Sequence, residues 1–235
     1  MRNSKLIFVE GLPGLGKSTT ASAIAMRLKE AHLPVSLWLE TEVNHPLNVG
    51  GDLLPAGFTP GEAFFRKYQP DSFASESLKR WEDFVQNALQ VEAINVLDSF
   101  PYQNTIRLLL QMDASLDFMR KYALNVETIV TPLHPVLVYF NQPDISKVFK
   151  HTDQISAQRG KEWTQYVINL VTNCPYGKTK NLEGYEGLLE FIRAYKQIMD
   201  ILLSQSHIPR IMLENCSGNW DECYRNISDF LEIPL

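Results

Sequence analysis

Short apolar runs alternate along the chain with longer segments in which apolar residues recur every three or four positions. That alternation is the pattern of strands and amphipathic helices taking turns around a parallel sheet, an α/β fold. Five runs read as buried strands: residues 5–9, 35–39, 93–97, 135–140 and 209–213, each rich in Val, Ile or Leu and bounded by polar or turn residues. After the first run, Ala21, Ile24, Ala25 and Leu28 lay one stripe along a helix over 18–30. Leu78, Trp81, Val85 and Ala88 do the same in the next interval, and residues 115–130 and 185–203 also read as helices, the latter through Leu188, Phe191, Ile192, Tyr195 and Ile198. Asp144, after Pro143, stands where it would cap a helix over 145–149. Two stretches read as irregular: 41–60, rich in Pro, Gly and Asn, and 172–184. Long irregular connections in an α/β domain commonly serve as lids or substrate loops. No internal repeat and no linker-like composition interrupts the chain. One domain over 1–235 is expected, with lid or substrate insertions near 41–75 and 151–187.

Composition narrows the function classes. The 235 residues are 45% hydrophobic and 21% charged, ordinary for a globular chain, so extensive disorder and fibrous repeats are excluded. Lys plus Arg number 22 against 27 Asp plus Glu, a net charge of -5, without any run of five like charges. Nucleic acid is therefore not an expected partner. The apolar stretch near the start ends after four residues, too short for a signal peptide, and no stretch reaches the roughly 18–20 apolar residues of a membrane span. A membrane is not expected either, and a reducing cytoplasmic setting is. The three cysteines, Cys174, Cys216 and Cys223, lack metal-ligand spacing and read as buried or idle thiols. The histidines show no mutual spacing for a metal.

The most informative segment is Gly11-Leu12-Pro13-Gly14-Leu15-Gly16-Lys17-Ser18, with Thr19 behind it, between an apolar strand and an amphipathic helix. Polyphosphate charge is held by a row of backbone N–H groups bent into a concave turn. Glycine permits the positive φ values and the close approach of main chain to phosphate oxygens that such a turn needs. The helix starting near Lys17 adds its positive dipole end. In this reading Lys17 reaches the β and γ phosphates, the Ser18 hydroxyl ligates Mg²⁺, and Thr19 donates to the α phosphate. ATP and Mg²⁺ are the expected cofactors. Asp98 ends the third apolar run, where a parallel sheet places ligands, and its carboxylate suits a metal-bound water or the acceptor's proton.

Other branches of phosphate-loop proteins are excluded by what is missing. The chain has no Asp-x-x-Gly switch, no guanine-reading Asn-Lys-x-Asp, and no Leu-Ser-Gly-Gly-Gln. Ser99, not Glu, follows Asp98, so nothing there polarises a water for vigorous hydrolysis.

In its phosphate loop and its order of elements the sequence resembles the nucleoside and nucleotide kinase group of the P-loop NTPase superfamily, thymidylate-kinase-like in layout. The segments Leu39-Glu40 with His45-Pro46, Gln103-Asn104 and Tyr176-Gly177-Lys178 are also similar to an uncharacterised bacterial ATP-binding, kinase-like group. The resemblance implies a three-layer α/β/α P-loop fold with a five-stranded parallel sheet in the order 2-3-1-4-5 and a helical lid. It implies an acid after the second strand (Glu40), an acid after the third (Asp98), a lid arginine (Arg159) and an adenine-packing turn at Asn215-Cys216-Ser217. Lys161, Lys178 and Lys180 are placed to share the lid's duty. The sequence departs from the family at Asp98-Ser99-Phe100, which lacks the arginine that relatives carry after this acid. An uncharged hydroxyl acceptor needs less positive charge and needs a base instead. Glu40 and Asp98 both remain candidates for that base. His45, Gln103 and Asn104 are candidates for orienting the acceptor.

The implied activity is an ATP- and Mg²⁺-dependent phosphotransferase acting on a small-molecule acceptor, nucleosides and nucleotides first. Two alternatives are an antibiotic or other small-metabolite phosphotransferase and a nucleotide-binding regulatory module with little turnover. A homodimer is one option for assembly.

Overall fold

Each apolar run emerges as a strand: β1 (Leu6–Gly11), β2 (Val35–Trp38), β3 (Ile94–Asp98), β4 (Val136–Asn141) and β5 (Arg210–Glu214). All pair in parallel in one sheet ordered β2-β3-β1-β4-β5, the order the resemblance implies. This computed structural model describes residues 3–42, 44–50, 60–145, 161–214, 216 and 218–233.

The central strand β1 is buried along its whole length, which accounts for a run that is apolar on both faces rather than alternating. It extends two residues beyond the apolar run, with Glu10 opposite Tyr139 and Gly11 opposite Phe140. The charge at position 10 therefore does not end the strand.

Alternation along the strands sends side chains into two cores. Leu6, Phe8, Leu97, Leu137 and Tyr139 face one cluster, while Ile7, Val9, Val96, Val138 and Phe140 face the other. The second is closed by α1 (Lys17–Glu30) and α9 (Trp220–Leu231) through Ala21, Ile24, Leu28, Ile227 and Leu231. The first is closed by α3 (Pro70–Gln90), α5 (Leu116–Val130) and α8 (Gly184–Gln205). Trp81 of α3 is fully buried there, edge-on to Phe8 at 6.0 Å. Three of the expected helices thus appear within about two residues of their predicted ends, and the interval around Leu78–Ala88 becomes α3. The Ser115 side chain accepts from Phe118 N–H at the start of α5, an N-cap.

Several segments differ from expectation. The 172–184 stretch is largely helical: α6 (Lys161–Asn173) runs into it, and α7 (Pro175–Thr179) follows. Pro175 supplies the first helical position, the Cys174 Sγ accepts from Gly177 N–H, and Gly177 lets the turn pass the Val171 carbonyl, where a Cβ would collide. Chain between β3 and α5 also forms structure that periodicity did not mark, a π-helical turn (Tyr102–Ile106) leading into α4 (Arg107–Gln111). A short helix α2 (Glu62–Lys67) precedes α3. The described part of 41–60, residues 41, 42, 44–50 and 60, is irregular as read, though His45, Leu47 and Val49 are buried. The helix expected from Asp144 over 145–149 lies almost wholly outside the described residues.

Cys216 and Cys223 are not idle thiols. The turn between β5 and α9 brings their Cα atoms to 5.9 Å and they form a disulfide, while Cys174 stays free and buried as expected. Among the described residues no helix is long and apolar enough to cross a membrane.

Candidate functional site

The carboxyl ends of β1 and β3 and the start of α1 meet at one edge of the sheet. Gly11 leaves β1 at φ +143°, and a Cβ built on it would lie 2.5 Å from the Phe140 carbonyl oxygen of β4, so only glycine passes. Gly16 caps α1 at φ +87°, a left-handed position, with the Trp220 ring filling the space a side chain would need. No side chain caps α1 and its first turn carries no acid. The turn therefore offers its backbone N–H groups and the positive helix end to an anion. Lys17 is buried and its Nζ donates to the Leu12 carbonyl at 3.0 Å, which folds the ammonium back over the turn. Ser18 and Thr19, by contrast, are exposed.

Ser18 reaches across to β3. Its Oγ donates to Asp98 Oδ2 at 2.5 Å, and Ser99 Oγ donates to Asp98 Oδ1 at 3.0 Å. Parallel pairing sets this register, with Asp98 opposite Val9 and Ser99 N–H donating to the Val9 carbonyl. Asp98 is almost fully buried, yet both its oxygens are satisfied by hydroxyls. Among the described residues no set of three His, Cys, Asp or Glu side chains is grouped to hold a metal ion. A divalent ion at this edge would take a hydroxyl and one carboxylate from the protein, with water or phosphate oxygens for the rest.

Glu40, just past β2, comes to the same edge. Both its oxygens accept from Gln103 Nε2 at 3.1 Å. Loss of solvation raises Glu40 to about 7, and the neighbouring Asp98 charge adds to this. The Lys17 ammonium, the Arg107 guanidinium and a hydrogen bond from Ser99 act the other way. A carboxyl poised near neutrality suits proton transfer. His45 stacks on Phe100 with ring centroids 4.3 Å apart and meets Trp38 edge-on. Its Nδ1 accepts from Leu47 N–H, and burial holds it down at about 4, so near neutral pH the imidazole is uncharged with its proton on Nε2. Asn104 is buried within the π-helical turn.

Two site residues were missed from sequence. Glu10 is completely buried at the end of β1 and accepts Tyr102 N–H at 2.7 Å and Gln103 N–H at 3.1 Å. Burial pushes it up to about 8, against those two N–H bonds and Lys17. Its signal in the sequence was a charged residue inside what would otherwise be a central strand, directly before the first loop glycine. Arg107 was the other. Its guanidinium donates to Gln111 Oε1 at 3.3 Å and is placed by the π-helical turn where it acts on Glu40. No periodic pattern reveals a turn of that kind.

Arg159, Asn215 and Ser217 lie outside the described residues. Lys178 is exposed and Lys180 sits over the Tyr176 ring at 5.9 Å. A cavity of about 540 Å³ occurs at the opposite end of the sheet, lined by Ser4, Glu127, His134, Val136 and His207, far from the loop because the strands are parallel. No protein-family model matches the chain, and no curated protein matches it.

Proposed function

We propose that the chain is a P-loop phosphotransferase with the three-layer architecture, which binds ATP with Mg²⁺ and moves the γ-phosphoryl group to a hydroxyl of a small acceptor, nucleosides and nucleotides first. The observation that carries this reading is the pairing of Ser18 with Asp98 at the mouth of a turn that only glycine can form at Gly11 and Gly16. The donor set fits the ligands: uncapped N–H groups and one ammonium for the phosphates, a hydroxyl and a carboxylate for the cation. Bound beside Ser18, Mg²⁺ would neutralise phosphate charge and orient the leaving group.

The protein's own residues divide the remaining work. Lys17 leaves the Leu12 carbonyl and meets the transferred group, whose charge is spread over its outer oxygens. Asp98, with both oxygens held by hydroxyls, belongs to the cation side. Glu40 belongs to the acceptor side, where its ionised form takes the proton of the attacking hydroxyl as the new O–P bond forms and ADP departs. Gln103 holds the Glu40 carboxylate through both oxygens. Transfer is favoured over hydrolysis because Ser99 occupies the position next to Asp98 where a water-polarising acid would stand.

Calorimetry with ATP at millimolar Mg²⁺ tests binding, and ADP release across a panel of nucleosides, nucleotides and other hydroxylated metabolites tests transfer. Saturable heat and acceptor-dependent ADP release are expected. No heat with any purine triphosphate overturns the reading.

A further inference from the structure

Glu10 does more than satisfy a turn. It sits on the central strand, fully buried, and takes both backbone N–H groups that open the π-helical turn, from residues 92 and 93 positions away. The same Gln103 whose backbone it holds sends its carboxamide to both oxygens of Glu40. Gln103 Oε1 is buried and finds no hydrogen-bond partner among the described residues, so nothing on that side of the amide orients it. Its aim comes from its backbone and from Glu40 alone.

We propose that Glu10 is a positioning residue: by clamping the Tyr102 and Gln103 N–H groups it aims the Gln103 carboxamide and thereby holds Glu40 as an oriented carboxylate. The role of Glu40 as the acceptor's base rests on the phosphotransferase reading; the clamp itself does not. The groups that face Glu40 are Glu10 on β1, Lys17 on α1, Asp98 at the end of β3 with Ser99 after it, Arg107 on α4 and Tyr195 on α8. Those facing Glu10 are Lys17, Glu40, Tyr102, Tyr139 on β4 and Tyr195 on α8.

The sign of one titration separates positioning from simple charge. Glu10, at about 8, is mostly uncharged through the Glu40 midpoint near 7, so removing what charge it carries leaves that midpoint in place or moves it down. Losing the Gln103 hydrogen bonds makes it harder to ionise and moves the midpoint up. The experiment follows the Glu40 carboxyl carbon by ¹³C NMR from pH 4 to 10 in the full chain, its resonance assigned by its loss in Glu40→Gln. Gln103→Leu should raise the midpoint by about one pH unit. Glu10→Gln, which keeps one acceptor and turns an NH₂ group toward the other N–H, should raise it by a similar amount. The double variant should raise it no further. A midpoint that stays put or falls in Glu10→Gln while Gln103→Leu raises it overturns the proposal. So does additivity of the two.

If Glu10→Gln does not fold, Glu10→Asp makes the same test with a carboxylate too short to reach both groups, and the wild-type protein makes another. The Tyr102 and Gln103 amides should exchange with solvent slowly, and exchange as fast as in an open loop overturns the clamp. None of these measurements needs nucleotide. Failure to bind ATP would therefore overturn the proposed function and leave this result standing, whereas an unmoved Glu40 in Glu10→Gln would overturn the positioning role alone.

Discussion

Ser18 Oγ lies 2.5 Å from Asp98 Oδ2 although 80 residues separate them. Helix α1 starts at Lys17, so it presents the hydroxyl at its first turn, and β3 pairs with β1 in the register that ends beside it. If this pair seats the cation, Ser18→Ala and Asp98→Asn should each raise the Mg²⁺ concentration needed for half-maximal nucleotide binding by roughly 10-fold or more. Because the two act on one ion, the double variant should cost less than the product of the singles. Calorimetry over a Mg²⁺ series reads both, and strict multiplicativity would show that they act separately.

In the proposed reaction Lys17→Ala should lower kcat/KM for transfer by at least about 100-fold, since its ammonium folds back over the turn proposed to hold the phosphates. The fold should hardly notice, because the side chain's hydrogen bond goes to a single carbonyl, that of Leu12. A melting temperature within about 4 °C of wild type is expected, equivalent to roughly 1 kcal/mol for a chain of this size. Full activity in this variant would refute the assignment.

Glu40 stands at about 7 in the fold, above the ordinary carboxyl value of 4.5. A raised carboxyl favours the protonated folded state, so its contribution to stability is complete below pH 4.5 and is lost as pH rises through 7. Glu40→Gln should therefore gain stability relative to wild type between pH 4.5 and 8, by on the order of 1–3 kcal/mol. The same variant should lose transfer. Wild-type kcat should climb tenfold per pH unit below about 7 as the base ionises. Paired melts and a pH–rate profile check the two halves, and an acid limb near 4.5 would exclude Glu40 as the base.

Gly11→Ala should destabilise the protein by at least about 2 kcal/mol in denaturant titration, because the new Cβ would lie 2.5 Å from a backbone oxygen that cannot rotate away. Gly218, also at positive φ but with open space around it, should tolerate alanine at a smaller cost.

Reduction of the Cys216–Cys223 bond should lower stability by about 2 kcal/mol in the chain-entropy picture of a short loop, or roughly 4–8 °C in melting temperature. Cys216→Ser should reproduce the loss and abolish the response to a thiol reductant. A melting curve indifferent to reductant would mean the bond does not form in solution.

The elements and the glycine turn before α1 could be read along the chain because each depends on neighbours a few residues apart. A period of 3.6 or an unbroken apolar run reflects which face meets the core, and the loop glycines reflect local φ. Charge at Glu10 misled the strand boundary, since sequence shows a carboxylate but not the two N–H groups that come to it from residues 92 and 93 positions on. The 172–184 segment misled for the opposite reason: its Gly and Lys residues look loop-like, yet a proline at the first helical position and a sulfur cap start a helix.

Ser18, Asp98 and Glu40 were each legible as candidates, but the division between them was not. Parallel register put Asp98 against Ser18, and the π-helical turn brought Gln103 and Arg107 to Glu40. By itself the sequence determined the alternation of strands and helices, the glycine turn between β1 and α1, and the chemical types present. Tertiary structure alone decided which carboxyl is wrapped by hydroxyls and which is held by a carboxamide. Solvation and charge act through space over a few ångströms, and folding brings residues 63 to 93 positions apart within that reach.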